Sequence, residues 1–332
     1  MSNINKILQE KILVLDGAMG TMLQEFNFTE EDFRGNRFKD YKIPLKGNND
    51  LLSITQRDAV KSVHEKYLEA GADIIETNTF SSTSIAMSDY NMESLAYELN
   101  YESAKLAKEV TTEFNNKDPR KPRFVAGAIG PTNKTASISP DVNDPGYRAI
   151  TFNELKEAYK EQIEGLLDGG VDILLIETVF DTLNAKSALF AIDEVKEERA
   201  IEIPTMVSGT ITDASGRTLS GQTAEAFLFS ISHFPLTSVG FNCALGASML
   251  QPHLESISSR TNFAISAHPN AGLPNAFGEY DETPEQMASQ IEDYLKKNLV
   301  NIIGGCCGTT PEHIRAISKI ACRYKPRKFK NL

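Results

Sequence analysis

Cysteine is scarce in this 332-residue chain, with only four in all. That is too few for a disulfide framework in a domain of this size, so clustered thiols read instead as metal ligands or reactive groups in a reducing compartment. No stretch approaches the roughly 20 uninterrupted apolar residues of a membrane helix, and the polar opening MSNINKILQE has no apolar signal core. These absences predict a cytoplasmic protein with no membrane partner. Positive charge is also in deficit: 34 lysines and arginines face 45 acids, for a formal net charge of -11. An acidic chain of this kind is not attracted to a phosphate backbone or an anionic bilayer, so nucleic acid is excluded as a partner while small molecules and other proteins remain. Basic residues gather only in 323–330, read as a solvated end. No strand-like run leads into a complete G-x-G-x-x-G turn or a G-x-x-x-x-G-K-[ST] loop, and H-E-x-x-H is missing, which removes dinucleotide, phosphate-loop and common hydrolytic zinc motifs. Internal repeats and low-complexity tracts are lacking as well.

What is present is a regular alternation. Short runs rich in Val and Ile occupy 12–15, 73–77, 123–128, 172–178, 205–211, 238–242, 263–267 and 299–303. Amphipathic stretches follow them at 58–70, 84–114, 152–169, 182–198, 223–233, 248–258, 284–297 and 311–323. Eight strand-helix units predict an α/β fold of the (β/α)8 TIM-barrel type in a single domain, 1–325, with a basic tail, 326–332. A doubly wound open sheet is the rival, and it usually has fewer strands. Thr283 and Thr310, each followed by proline, are predicted helix caps. The long segments 17–57, 130–151, 213–222 and 269–282 all follow strands, on the rim where barrel active sites are built.

Three of the cysteines fall at strand ends on that rim: Cys243 after the sixth run, and Cys306 with Cys307 after the eighth. The barrel topology would bring them together, and the glycines at 304, 305 and 308 allow the backbone to turn both vicinal sulfurs toward one point. Three soft thiolates favour zinc and leave a fourth tetrahedral position for substrate, the pattern of a catalytic site. The competing reading makes Cys243 a small buried hydrophobe and the pair a turn filler. Zinc on three thiolates suits alkyl transfer to a substrate thiol rather than hydrolysis. Cys322 stands alone on the last helix and reads as structural. His64, His233, His253 and His313 fall in predicted helices, while His268 and Asn270, placed after the seventh run, are turn residues or a weak additional ligand or hydrogen-bonding support.

Carboxylates supply the other half of a site. Asp16 ends the first run, Glu177 ends the fourth, and Glu76 lies in the second, so all three are candidates for holding an α-ammonium group across the barrel mouth. Gly17, Ser137 and Thr135 are candidates for the α-carboxylate by their place in loops. Asp181 and Asp213 fit helix caps or loop braces better.

The motifs LDGAMGT at 15–21, LKGNND at 45–50, ETNTF at 76–80, GPTNKTASISP at 130–140, ETVFDTLNAK at 177–186, GTITDASGRTLSGQ at 209–222, FNCALG at 241–246, HPNAGLPNAFGEYD at 268–281 and GGCCGTTP at 304–311 carry a resemblance over nearly the whole chain. The chain resembles the homocysteine-binding domain of cobalamin-dependent methionine synthase, within the broader homocysteine S-methyltransferase family. The resemblance implies zinc on Cys243, Cys306 and Cys307 and a homocysteine amino group near Asp16 and Glu177. It also implies that the zinc-activated thiolate takes the methyl group of methylcobalamin, giving methionine, and that methyltetrahydrofolate restores the donor. The chain departs from that pattern in having no D-x-H-x-x-G cobalamin signature. Methylcobalamin is therefore expected from a partner chain or module that also binds folate, with this chain a separate subunit or a standalone transferase. The start at Met1 and the basic end are read as a complete chain, an excised fragment being the other reading. Two alternatives stay open: a transferase using a sulfonium or betaine donor directly, and a non-catalytic subunit that binds zinc and homocysteine.

Overall fold

The computed structural model describes residues 3–212 and 215–329, and the predicted brace Asp213 lies outside them. Eight parallel strands follow one another in the chain: β1 (Leu13–Val14), β2 (Ile74–Glu76), β3 (Phe124–Ile129), β4 (Ile173–Val179), β5 (Thr205–Gly209), β6 (Ser238–Gly246), β7 (Ala264–Asn270) and β8 (Ile302–Ile303). Their order in the sheet is β1-β8-β7-β6-β5-β4-β3-β2, so the first strand pairs with the last. A single bridge, Leu15 to Ile74, brings the two edges together. The buried Asp73 carboxylate accepts the Val14 N–H at 3.0 Å across this seam and pairs with Lys11 at 2.8 Å. The result is the predicted (β/α)8 barrel in one α/β domain, with a helix returning after every strand.

Strand alternation divides the core. Leu13, Leu15, Ile74, Ala126, Ile173, Leu175, Met206, Ala264 and Ile302 fill the barrel interior, and Ile4 and Leu8 of the helix Asn3–Glu10 join that cluster. The opposite-facing residues, Val14, Ile75, Val125, Leu174, Val207, Val239 and Phe241 among them, pack beneath the surrounding helices. Each such side chain, fully buried, contributes on the order of 2 kcal/mol. The polar opening of the sequence hid the first helix, whose apolar residues are spaced as Ile4, Ile7 and Leu8.

Several predicted boundaries move. The stretch 84–114 is not one helix: Ser84–Met87 is followed by two 3-10 turns, and the long helix begins only at Ala96. Asn91 with φ of 53° supplies the left-handed break. The helix Ala224–Ile231 stops short of His233, which lies in a turn. Strand β7 runs through His268 and Asn270, so these are strand residues rather than turn residues. In the basic end read as solvated, 323–330, Arg323, Lys325 and Lys328 are exposed, but Arg327 is held in place. Half-buried Arg327 donates to the carbonyls of Ser258, Thr261 and Phe263 while its own carbonyl accepts from Asn301, and Phe329 packs against the barrel-interior cluster.

Candidate metal and substrate site

Cys243 reaches the barrel mouth through a distortion of β6. Val239 and Phe241 face the helices, so strict alternation would send residue 243 the same way. Instead Cys243 and Ala244 adopt φ of 61° and 57°, and the register with β7 slips between Asn242 and Gly246. Such conformations cost roughly 1–3 kcal/mol each in non-glycine residues, and here they bulge the strand and re-aim one side chain. Cys306 and Cys307 follow β8 in a turn that neighbouring strands hold. Cys306 N–H donates to the Pro269 carbonyl at 2.9 Å, and the Cys307 carbonyl accepts from Ala271 N–H at 3.0 Å. The Thr309 hydroxyl donates to the Cys306 carbonyl at 2.7 Å and accepts from Ala18 N–H at 3.1 Å, joining this turn to the loop after β1.

The three sulfurs lie within 4.8 Å of one another, with Cys243 Sγ and Cys307 Sγ 3.7 Å apart. Tetrahedral zinc with metal-sulfur bonds of about 2.3 Å requires sulfurs about 3.8 Å apart, so the donor set fits that ion. Among the thiols, hydrogen bonds from Cys243 and Cys306 hold Cys307 down at about 3, while Cys306 is pushed well above the usual thiol range by its hydrogen bonds to Cys243 and Cys307. The Tyr280 hydroxyl faces Cys307 and also favours its thiolate. Tyr280 closes a hairpin loop bridged to Pro274, and its ring lies over Gly308. Cys322, expected on the last helix, is exposed just past its end at Ala321 and has no part in the cluster.

Beside the sulfurs stand the three predicted carboxylates, Asp16 and Glu177 buried and Glu76 half-buried. Asp16 accepts the Glu76 N–H at 3.1 Å through Oδ2, while its Oδ1 is enclosed without a partner. Glu76 and Glu177 hydrogen-bond to each other. Burial raises all three: Asp16 and Glu76 move well above the carboxylate range, Asp16 helped by the charge of Glu177, and Glu177 moves up to about 7. A cationic ligand group among them would favour their ionised forms.

One cavity of about 1080 Å³ includes Asp16, Gly17, Glu76, Glu177 and all three clustered cysteines in its wall. Ser137 is a different matter. Its hydroxyl and N–H both go to Asp181, at 2.6 and 3.0 Å, and Thr135 donates to the Ile138 carbonyl, so neither predicted carboxylate contact lines the cavity. Asp181 instead caps the helix Thr182–Arg199, as the sequence suggested. His268 does line the cavity, and burial lowers it to about 3, which keeps the imidazole neutral. Asn242 and Tyr280 were missed at the sequence level. Strand alternation could have found Asn242, because residues 238, 240 and 242 share the inward face; nothing local in the loop marks Tyr280.

Comparison with known proteins agrees with the fold. The chain resembles the homocysteine methyltransferase MmuM from Escherichia coli in its metallated form, with 22% identity, a TM-score of 0.72, and 95% of this chain and 98% of that one covered. The apo form of the same protein matches with 21% identity and a TM-score of 0.68 over 95% and 97%. A B12-independent methionine synthase from Shewanella sp. W3-18-1, in complex with selenomethionine, matches with 14% identity and a TM-score of 0.51 over 85% and 91%. The family described as homocysteine S-methyltransferase matches residues 13–321, nearly the whole chain. On that match the chain belongs to the homocysteine S-methyltransferase family.

Proposed function

We propose that this homocysteine S-methyltransferase uses zinc on Cys243, Cys306 and Cys307 and takes its methyl group from methylcobalamin carried by a partner chain or module, which methyltetrahydrofolate recharges. The carrying observation is that three convergent thiols and three clustered carboxylates share one cavity wall. Bound there, zinc would supply an open fourth position that lowers the pKa of a substrate thiol near neutral pH.

The chain's own residues do the rest. Glu177, Glu76 and the unpartnered Asp16 oxygen hold the substrate ammonium, replacing mutual repulsion with charge-assisted hydrogen bonds. Gly17, beside Asp16, leaves room where a Cβ would meet the Thr309 hydroxyl at 2.6 Å. Tyr280 stands beside Cys307, and its hydroxyl favours the thiolate form of that sulfur. Beyond the sulfurs the cavity continues past Asn48, Asn49, Tyr90 and Asn133, more space than an amino acid fills, which supports a bulky donor. Exposed apolar residues on loops after strands, Val142 at 94%, Phe277 at 88% and Leu219 at 58%, support a partner that covers the mouth during transfer.

One observation favours a second reading, a sulfonium or betaine donor used directly. Asp16, Asp50, Glu76, Asp89, Glu177 and Glu279 line the cavity, and among the described residues no lysine or arginine lines it. Such a wall suits a cationic donor. Zinc-loaded protein is to be given homocysteine with methylcobalamin, a sulfonium donor or betaine in separate assays. Homocysteine-dependent loss of the cobalt-methyl absorption supports the first reading. Methionine formed only from an onium donor replaces it with the second, and zinc and homocysteine binding without turnover, partner included, would make the chain a non-catalytic subunit.

A further inference from the structure

Asn242 is wholly buried, and its carboxamide is fully engaged. Its Oδ1 accepts from Ser208 Oγ at 2.6 Å and from Thr178 N–H at 3.0 Å. The Thr178 N–H can only donate, so it fixes which amide atom is oxygen: a flip would set Nδ2 against it. On the other side Nδ2 donates to Thr178 Oγ1 at 2.8 Å. Its second hydrogen has two acceptors within reach: Glu177 Oε2 at 3.3 Å and Cys306 Sγ at 3.8 Å. One N–H therefore lies between a carboxylate proposed to bind substrate and a sulfur proposed to bind metal.

The surrounding backbone is bent to allow this. Thr178, a β-branched residue, has φ of 53° where β4 slips against β5, and both of its contacts with Asn242 hold that conformation. On the next strand pair, the left-handed Cys243 follows Asn242 directly. Two separate distortions thus meet at one carboxamide.

We infer that Asn242 is a positioning residue that couples recognition of the substrate ammonium at Glu177 to the electron-donating strength of the Cys306 sulfur. This rests on the function proposed above. A substrate ammonium on Glu177 competes with Asn242 for the carboxylate, and the N–H turns to Cys306. A hydrogen bond to a metal-bound thiolate withdraws electron density from the metal, which then holds a fourth thiolate more tightly. Binding of the amino group and of the thiol reinforce each other, and the coupling is reciprocal. Thiols with an α-ammonium are selected over those without one by more than the ammonium contact alone.

The test uses cobalt in place of zinc in the full chain and reads sulfur-to-cobalt charge transfer. Homocysteine is compared with 4-mercaptobutanoate, the same thiol acid without the amino group. In Asn242→Ala the charge-transfer band of the homocysteine complex is expected to lie at lower energy than in the wild type, because the N–H that turns to Cys306 once the ammonium occupies Glu177 is gone; before any thiol is added the two bands should differ less. The preference for homocysteine over the amino-free thiol should fall by roughly tenfold, the scale of one hydrogen bond to a charged group. A variant loaded with one cobalt per chain that keeps both the wild-type band and the wild-type preference overturns the coupling. Should Asn242→Ala fail to fold or load, Ser208→Ala, which frees the amide oxygen from one donor, is read by the same two measurements, with a smaller change in the same direction as the expected result. Failure of the underlying function looks different: wild-type cobalt protein whose spectrum ignores homocysteine.

Discussion

Tyr280 rests directly on Gly308: a Cβ at position 308 would stand 2.3 Å from the Tyr280 Cβ, and Gly308 itself has φ of 78°. One glycine thus lets the loop after β7 close over the turn that carries the vicinal cysteines. Gly308→Ala should lift Tyr280 from Cys307 and strain the backbone, costing about 1–3 kcal/mol of stability. Thermal melting and steady-state kinetics check this, with kcat/KM expected to fall roughly tenfold. Wild-type kinetics in the folded variant would remove Tyr280 from the site.

Replacing any one of Cys243, Cys306 and Cys307 by alanine should abolish stoichiometric zinc, because two sulfurs do not complete the donor set. Metal analysis of protein dialysed at neutral pH is expected to show about one zinc per wild-type chain and only traces in each variant. Cys322→Ala, exposed and remote, should retain the metal. Loss from Cys322→Ala equal to that of the other three would refute the assignment.

Glu177→Gln keeps the shape of the side chain and removes its charge. Its KM for homocysteine should rise roughly ten- to hundredfold, the worth of a charge-assisted hydrogen bond in a buried setting, while zinc content stays near wild type. Equal KM values for the two proteins would move ammonium recognition away from β4.

Asp50 gives a pH signature at the far end of the same cavity. Burial raises its carboxyl from 3.8 to about 6, against hydrogen bonds from Ser82 Oγ and Ser81 N–H. Between those two values the folded chain holds a proton that the unfolded chain has released, so stability falls as pH rises through this window and the loss persists above it. Asp50→Asn retains an oxygen for both donors and has no charge to bury. Its stability relative to wild type should therefore improve by up to about 3 kcal/mol between about pH 4 and about pH 7, read from urea unfolding. A difference that does not change with pH would mean the Asp50 charge is better solvated than its enclosure indicates.

The barrel was legible because period and punctuation agree: buried strands rich in Val and Ile, each followed by an amphipathic helix, leave few other architectures. Cys306, Cys307, Asp16 and Glu177 were legible for the same reason, standing at strand ends that the topology must bring to one rim. Cys243 was found despite its geometry, since only the bulge after Asn242 turns it inward. Ser137 was misplaced because the long loop 130–151 offers many hydroxyls, and which one meets a helix cap such as Asp181 depends on tertiary contacts invisible in local sequence. Asn242 was passed over beside a more conspicuous cysteine. Its importance lies in partners on β4 and β5 that no spacing rule connects to it.

The pairing of β1 with β8 has a consequence for how the protein is made. Asp16 follows the first strand of the barrel and Cys306 and Cys307 follow the last, and the backbone of Gly305 donates to the Asp16 carbonyl at 3.1 Å. During synthesis β1 must wait, its edge open, until β8 has emerged. Metal capture by the three thiols is then a late event that registers ring closure, and nascent chains stalled before β8 would be blind to zinc. Vectorial assembly thus keeps reactive sulfur apart until the scaffold able to protect it exists.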